Sequence, residues 1–274
     1  MQRLSVELHN LAKVIGFVPT MGYLHEGHLS LIERSKKNSD ITVVSIFVNP
    51  TQFGPGEDFG KYPRNIELDK KLLKEKGVDF VFIPDAREIY PDNFQTYVSV
   101  DNVTKILEGE SRPTHFRGVT TIVAMLFNII NPDYAYFGQK DAQQAFIIQR
   151  LVKDLKYNVK IIIVPIVREK DGLALSSRNI YLSEEERKDA VVLNHSLLYA
   201  RKLISKGTGN VIRILAGMKK IINHADSSDL DYVSIVDALT FLPVKKLIQG
   251  RKYYILVACR IGKTRLIDNI LVKA

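Results

Sequence analysis

The chain has 274 residues, of which 46% are hydrophobic and 25% charged; that is the composition of a soluble globular protein with room for one large core or two smaller ones. Its longest apolar runs, Ile41–Val48 and Thr120–Ile130, are too short for a membrane span, and the single cysteine, Cys259, excludes an internal disulfide. A net charge of +9 raises the question of nucleic-acid binding, but the lysines fall in scattered pairs (Lys36-Lys37, Lys70-Lys71, Lys219-Lys220, Lys245-Lys246) with acids among them, so neither a nucleic-acid nor a membrane partner is expected. No charged-then-apolar leader opens the sequence, and a reducing, cytoplasmic setting is the expectation.

In chain order, Lys13–Pro19 reads as a buried strand and Leu29–Asn38 as a helix. Ile41–Val48, rich in β-branched residues, is a second strand. Ile66–Gly77 is a helix with apolar Ile66, Leu68, Leu72 and Leu73 and a terminal glycine. Val78–Pro84 is a third strand, Gly118–Asn131 a buried helix, Tyr134–Phe137 a short strand, Asp141–Leu155 a helix and Val159–Pro165 a further strand. Continuous apolar strands separated by helices predict an α/β fold: a Rossmann-like parallel sheet with helices on both faces. After Val167 the rhythm changes. Ser183–Gly207 reads as one long helix, opened by a Ser183/Glu186 capping box; Gly209–Asn223 is another helix; Asp231–Asp237 and Lys252–Gly262 are strands. The predicted domains are therefore 1–166 and 167–274, the second a small α+β domain.

In a parallel α/β sheet, ligands bind where strands lead into helices. Five such segments carry chemistry-bearing residues. Gly16–Ile32 places His25 and His28 in a strand-to-helix turn containing Pro19, Thr20, Met21 and Gly22, where free backbone N–H groups and two imidazoles suit a nucleotide triphosphate. Val48–Arg64 is a Pro/Gly-rich loop in which Asn49 and Gln52 could hydrogen-bond a polar substrate. Glu108–Thr121 sets two arginines and a histidine before a buried helix, as a second anion site or a mobile lid. Phe137–Gln144 opens a helix with Gly138, Gln139, Lys140 and Asp141; Lys140 can reach a phosphate, Asp141 can cap the helix or hold magnesium, and Gln144 lies one turn on. Val167–Asn179 brings Ser176, Ser177 and Arg178 into one turn, a compact phosphate clamp. Neither a dinucleotide-binding glycine fingerprint nor a P-loop is present; Arg260–Arg265 has a G-K-T, but the first glycine of a P-loop would fall at Val257.

Taken together and in register, "VPTMGYLHEGHLSL", "SIFVNPTQFGPGEDF", "EGESRPTHFRGV", "YFGQKDAQQ", "VREKDGLALSSRN" and "RIGKTRLIDNI" resemble the pantoate–β-alanine ligase family from Gly16 to Ile270. The H-x-G-H element is also similar to that of the wider nucleotidylyltransferase and class I aminoacyl-tRNA synthetase group. The resemblance implies ATP-dependent joining of pantoate to β-alanine through a pantoyl adenylate, with Mg2+, in a cytoplasmic homodimer whose C-terminal domain is a lid. It implies that Pro19, Thr20, Met21, Gly22, His25, His28, Gly138, Gln139, Lys140, Asp141, Val167, Leu175, Ser176, Ser177 and Arg178 serve ATP. His28 would be the proton-donating, phosphate-stabilising residue, helped by His25, Lys140, Ser176, Ser177 and Arg178. Gln52 and Gln144 would hold pantoate, with Gln52 also bordering β-alanine, and Asp141 would meet magnesium through Mg-ATP. Thr114 and Gln139 depart from the glycine and glutamate common in the family. The stretch before Gly16 is short, so an opening strand and part of the first helix are expected to be missing. Another H-x-G-H nucleotidylyltransferase with a different small acceptor, and a basic RNA-binding protein without catalysis, are the alternatives.

Overall fold

The structure is a computed structural model that describes residues 1–274. The chain divides into two compact units, Met1–Gly138 with Gln143–Pro165, and Gln139–Ala142 with Ile166–Ala274. The second unit thus includes four residues from the middle of the chain.

The first unit opens with helix α1 (Gln2–Asn10), in a stretch where pattern reading assigns no element. Leu8 is buried, and Ser5 Oγ donates to the carbonyl of Ile130. Strand β1 (Ile15–Thr20), helix α2 (Glu26–Asn38) and strand β2 (Ile41–Ile46) follow, then helix α3 (Ile66–Glu75) and strand β3 (Phe80–Phe82). Short helices α4 (Ala86–Ile89) and α5 (Glu108–Ser111) precede helix α6 (His115–Ile130), strand β4 (Tyr134–Gly138), helix α7 (Ala142–Leu155) and strand β5 (Lys160–Val164). The five strands form one parallel sheet in the order β3-β2-β1-β4-β5. This is the expected α/β fold.

Strand periodicity sends alternate side chains to opposite faces. Ile15, Phe17, Val43, Ala135 and Phe137 share a core with Leu8, with Ile122, Phe127 and Ile130 of α6 and with Ile148 and Leu151 of α7. Val18, Val44, Ile46 and Tyr136 share the other core with Leu29 and Ile32 of α2 and Leu73 of α3. Helices therefore cover both faces. Two boundaries and one burial pattern differ from expectation. The third strand shrinks to Phe80–Phe82, an edge strand paired only with β2. On α3, Leu68 is exposed, and the buried positions are Asp69 and Leu73. Helix α6 starts at His115 rather than Gly118, and its C-cap Asn131 lies in the left-handed region, φ 46°.

The second unit contains helices α8 (Glu184–Asp189), α9 (Val192–Ser205) and α10 (Val211–Ile222), and strands β6 (Ser228–Asp237), β7 (Lys252–Ile261) and β8 (Thr264–Lys273). The strands form an antiparallel sheet in that order. Leu193, Leu197, Ile204, Ile214, Met218 and Ile222 pack on Ile235, Ile255 and Val257 to make its core. The capping box at Ser183 and Glu186 forms as expected. The helix it starts is not continuous, however. It breaks after Asp189, whose carboxylate accepts from the backbone N–H and hydroxyl of Ser227 at 3.1 and 2.6 Å, a tertiary attachment that pattern reading along the helix does not register. Gly262-Lys263, the G-K of the P-loop imitation, is the tight turn of the β7–β8 hairpin. β8 itself was not expected.

Candidate active site

β1 occupies the centre of the parallel sheet, and strand order reverses between β1 and β4, the position at which such sheets bind ligands. Thr20, the last residue of β1, donates its hydroxyl to the carbonyl of Ser45 at 2.7 Å and accepts from the N–H of Gly22 at 3.2 Å. Met21 follows, half-buried, and the turn is fixed from outside: the buried carboxylate of Asp69 on α3 accepts from the N–H groups of Tyr23 and Leu24, both at 2.8 Å. Tyr23 is held at φ 51°, an uncommon backbone conformation for that residue. Sequence reading missed Asp69. The signal was an acid in the apolar row Ile66–Asp69–Leu73 of the helix.

The two histidines then cap α2 reciprocally. His25 is the N-cap and its Nδ1 accepts from the N–H of Gly27 at 3.1 Å; Nδ1 of His28 accepts from the N–H of His25 at 3.3 Å. The ring centroids are 4.1 Å apart. An Nδ1 that accepts carries no proton, so each neutral ring holds its hydrogen on Nε2. The cap thereby orients two Nε2–H donors beside the positive end of a helix dipole. It also explains the glycine within H-x-G-H: a Cβ on Gly27 would lie 2.8 and 2.9 Å from Cε1 and Nδ1 of His25.

Gln52 sits in the loop after β2, buried. Its Oε1 accepts from Asn49 Nδ2 at 3.1 Å, while its Nε2 meets the sulfur of Met21 at 3.0 Å, so a pantoate candidate adjoins an ATP candidate within the first unit. A thioether is a weak acceptor, which leaves that amide donor capable of a better partner. Asn49 is tied into the same loop. It is buried, donates also to Gly118 O at 3.1 Å, and accepts from Thr51 and from Tyr90 at 3.0 and 2.8 Å, so its amide holds the loop. α6 packs backbone to backbone on this loop at Gly118, where a Cβ would come within 2.4 Å of Thr51 O.

In the segment before α6, expected as a second anion site or a mobile lid, Arg112 and His115 are engaged by groups of the protein itself. Arg112 grips Glu57 with two bonds, Nε to Oε1 at 2.8 Å and Nη2 to Oε2 at 2.5 Å, and donates to the carbonyl of Gln52 at 3.3 Å. Burial pushes the Glu57 carboxyl up, but the hydrogen bonds and charge of Arg112 outweigh it, and the group lies below its ordinary range. His115, buried, donates from Nδ1 to the same Gln52 carbonyl at 2.9 Å, and its Nε2 lies 3.3 Å from Nη1 of Arg112. Burial and the Arg112 charge lower its pKa to about 4. The other arginine of the segment, Arg117, lies over the ring of Tyr97 at 4.7 Å. On α7, Gln144 is half-buried, while its neighbour Gln143 is buried and donates to Val103 O and Ile106 O at 2.6 and 2.9 Å.

In the second unit, Gln139, Lys140 and Asp141 form a 3-10 turn after Gly138, the last residue of β4. Asn269 of β8 donates through Nδ2 to the carbonyls of Gln139 and Lys140, both at 2.9 Å, and Gln139 Nε2 donates back to Asn269 Oδ1 at 3.2 Å. Asp141 is exposed. Val167 and Leu175 are joined by Leu175 N–H to Val167 O at 3.0 Å. Ser176 caps the next 3-10 turn, Ser177–Tyr181, its hydroxyl accepting from Arg178 N–H at 3.3 Å; Ser177 is buried and Arg178 half-buried. No group of three or more His, Cys, Asp or Glu side chains is arranged to hold a metal. One exposed carboxylate, Asp141, fits a magnesium ion that keeps waters and phosphate oxygens as its other ligands.

A parallel sheet with a histidine-capped helix N-terminus at its switch point defines a nucleotide-binding α/β protein of the H-x-G-H kind. The family model described as Pantoate-beta-alanine ligase matches residues 1–271, and the chain belongs to that family. A pantothenate synthetase from Acetivibrio thermocellus is 56% identical over 264 residues, covering 96% of this chain and 93% of the relative. Another from Caldicellulosiruptor saccharolyticus is 54% identical over 273 residues, covering 100% and 96%. The crystal structure of pantothenate synthetase from Thermus thermophilus is similar with a TM-score of 0.91 at 46% identity, over 97% of this chain and 96% of that one. That of pantoate-beta-alanine ligase from Francisella tularensis, complexed with beta-gamma ATP and beta-alanine, gives 0.78 at 35% identity, over 97% and 95%.

Proposed function

We propose that the protein condenses pantoate with β-alanine at the expense of ATP, releasing AMP and pyrophosphate, and that the residues named from its sequence carry the reaction. The observation that supports this most directly is the reciprocal cap of His25 and His28, which sets both imidazoles at a helix N-terminus. Membership of the ligase family supplies the substrates.

In the first half-reaction a carboxylate oxygen of pantoate bonds to the α-phosphorus of ATP, the α–β P–O bond breaks, and pyrophosphate leaves with the electron pair. Both reactants are anionic, so the protein must offset their repulsion and the charge growing on the leaving group. His28 and His25 donate through Nε2–H to phosphate oxygens. Lys140, Ser176, Ser177 and Arg178 supply further donors to ATP, and Pro19, Thr20, Met21, Gly22, Gly138, Gln139, Val167 and Leu175 form its surroundings. Gln52 and Gln144 hold pantoate; the Gln52 amide exchanges the Met21 sulfur for a substrate oxygen. Asp141 would hold magnesium brought in with ATP, and the ion would there neutralise phosphate charge. In the second half-reaction the β-alanine nitrogen attacks the acyl carbon, the bond to AMP breaks, and the nitrogen loses a proton as the amide forms. We further propose a cytoplasmic homodimer, on the family resemblance, its dimeric state testable by sedimentation.

AMP formation requiring both pantoate and β-alanine tests the overall reading; AMP released without them, or with another acid in place of pantoate, overturns it. For the residue roles, His28→Ala and Lys140→Ala are each expected to lower pantoate-dependent exchange between pyrophosphate and ATP at least tenfold with the fold intact. Loss of one such donor typically costs ~10²–10³ in rate. Undiminished exchange in both variants refutes the assignment. No helix is long and apolar enough to cross a membrane.

A further inference from the structure

Strand β8 carries two consecutive buried polar residues, Asp268 and Asn269, among Leu266, Ile267 and Ile270. Consecutive strand residues point to opposite faces, so their side chains serve different neighbours. Asn269 takes the Gln139–Lys140 turn: both amide hydrogens are used on the two carbonyls, and the amide oxygen is used by Gln139. Asp268 takes Arg168 in a two-pronged ion pair, Nη1 to Oδ2 at 2.6 Å and Nη2 to Oδ1 at 2.9 Å. Arg168 stands at the root of the hairpin that leads to Ser176–Arg178, and its Nη1 also donates to Gly172 O across that hairpin at 3.0 Å.

The backbone of Asn269 locks the two attachments together. β8 is the edge of its sheet, so half of its backbone groups have no strand to pair with. The carbonyl of Asn269 accepts from Arg168 Nη2 at 3.2 Å, and its N–H donates to Asp268 Oδ1 at 2.7 Å. Burial pushes the Asp268 carboxyl up, while the charges of Arg168 and Lys140 act against that. A buried carboxylate of this kind is retained only where its partners hold it closely.

We propose that Asp268 and Asn269 are positioning residues of the ATP site: one two-residue step of β8 fixes the spacing between the turn carrying Lys140 and the hairpin carrying Ser176–Arg178. The proposal rests on the reading of Lys140 and Ser176–Arg178 as ATP ligands. In this role Asn269 acts through the Gln139–Lys140 turn, by the two carbonyls and the Gln139 amide it binds.

The test is Asn269→Asp. The side chain keeps its size and its acceptor for Gln139 but loses both donors to the carbonyls of Gln139 and Lys140. Pantoate-dependent exchange between pyrophosphate and ATP is measured with each substrate varied in turn. The expected result is a fall of at least tenfold in kcat/KM for ATP, with KM for pantoate within twofold of the parent. Val272→Ala, a cavity in the core beneath the same strand, controls for lost stability and is expected to lower the melting temperature while leaving kcat/KM for ATP within twofold. Should Asn269→Asp not fold, Asn269→Ser is read in its place. Equal losses for ATP and pantoate, an unchanged kcat/KM for ATP, or an equal ATP effect in Val272→Ala each overturn the proposal. Lys140→Ala run alongside separates the two levels: if it loses exchange while Asn269→Asp does not, the positioning role fails and the ATP-site reading stands; if Lys140→Ala is also unaffected, the ATP-site reading itself fails.

Discussion

His115 is uncharged in the folded protein at neutral pH, and the reason is local. Its Nδ1–H is spent on the Gln52 carbonyl, its Nε2 faces the Arg112 guanidinium, and burial opposes a second positive charge there. Protonation would place two cations against each other, and the Glu108 and Glu57 charges do not outweigh burial and Arg112. A base whose folded pKa is depressed contributes stability above its unfolded pKa and loses it as pH falls. With an ordinary value of 6.5 and a folded value of about 4, the loss spans that interval on acidification and levels off below it. Its full size is about 3 kcal/mol. His115→Asn keeps a donor near Nδ1 and removes the titration. Urea unfolding at several pH values is expected to give a steeper decline between pH 6.5 and 4 for the parent than for this variant. Parallel curves would mean that His115 is not the group responsible.

At the level of elements, the β1–α2 turn is built by three segments. β1 supplies Thr20, α2 supplies the histidine cap, and α3 supplies Asp69, which binds two N–H groups of the turn. Asp69→Ala would leave the buried Leu24 N–H and the part-buried Tyr23 N–H without that acceptor, costing about 2–4 kcal/mol. Asp69→Asn, with one amide oxygen in place of two, is expected to fall between alanine and the parent, in denaturant midpoint and in exchange rate alike. An active-site loss without any change in midpoint would place the role of Asp69 elsewhere. The case also marks how far the sequence carries. β1, β2 and β4 were legible because parallel strands covered on both faces are apolar runs, edge strand β5 because its Ile161–Val164 is one too, and the histidine pair because it sits at a strand-to-helix turn. Asp69, Asp268 and Asn269 were not, since each is a polar residue whose partner lies 46, 100 or 130 positions away. The break between α8 and α9 escaped for the same reason: Ser227 is 38 residues from Asp189. The arginines and histidine before α6 looked like a free anion site because Glu57, 55 positions earlier, gives no local sign of its claim on Arg112.

Over the whole molecule, the excess of 39 lysines and arginines against 30 acids leaves a positive field. Such a field raises encounter rates with anions and is screened by salt, with a Debye length of ~30 Å at 0.01 M and ~3 Å at 1 M. The three proposed substrates differ in the property that matters. ATP carries several negative charges, pantoate one, and β-alanine is a zwitterion with none in sum. Raising ionic strength from about 0.02 to about 0.5 M is therefore expected to lower kcat/KM several-fold for ATP, less for pantoate and hardly at all for β-alanine. Steady-state rates with each substrate varied in turn measure this. A charge placed for polyanions instead would show itself differently: RNA would inhibit competitively, and the inhibition would vanish steeply with salt. The dispersed lysine pairs speak for the first pattern, because a field summed from scattered charges guides a small anion without offering a strand of phosphates a continuous track. An equal salt dependence for ATP and β-alanine would remove the electrostatic account of the basic surface altogether.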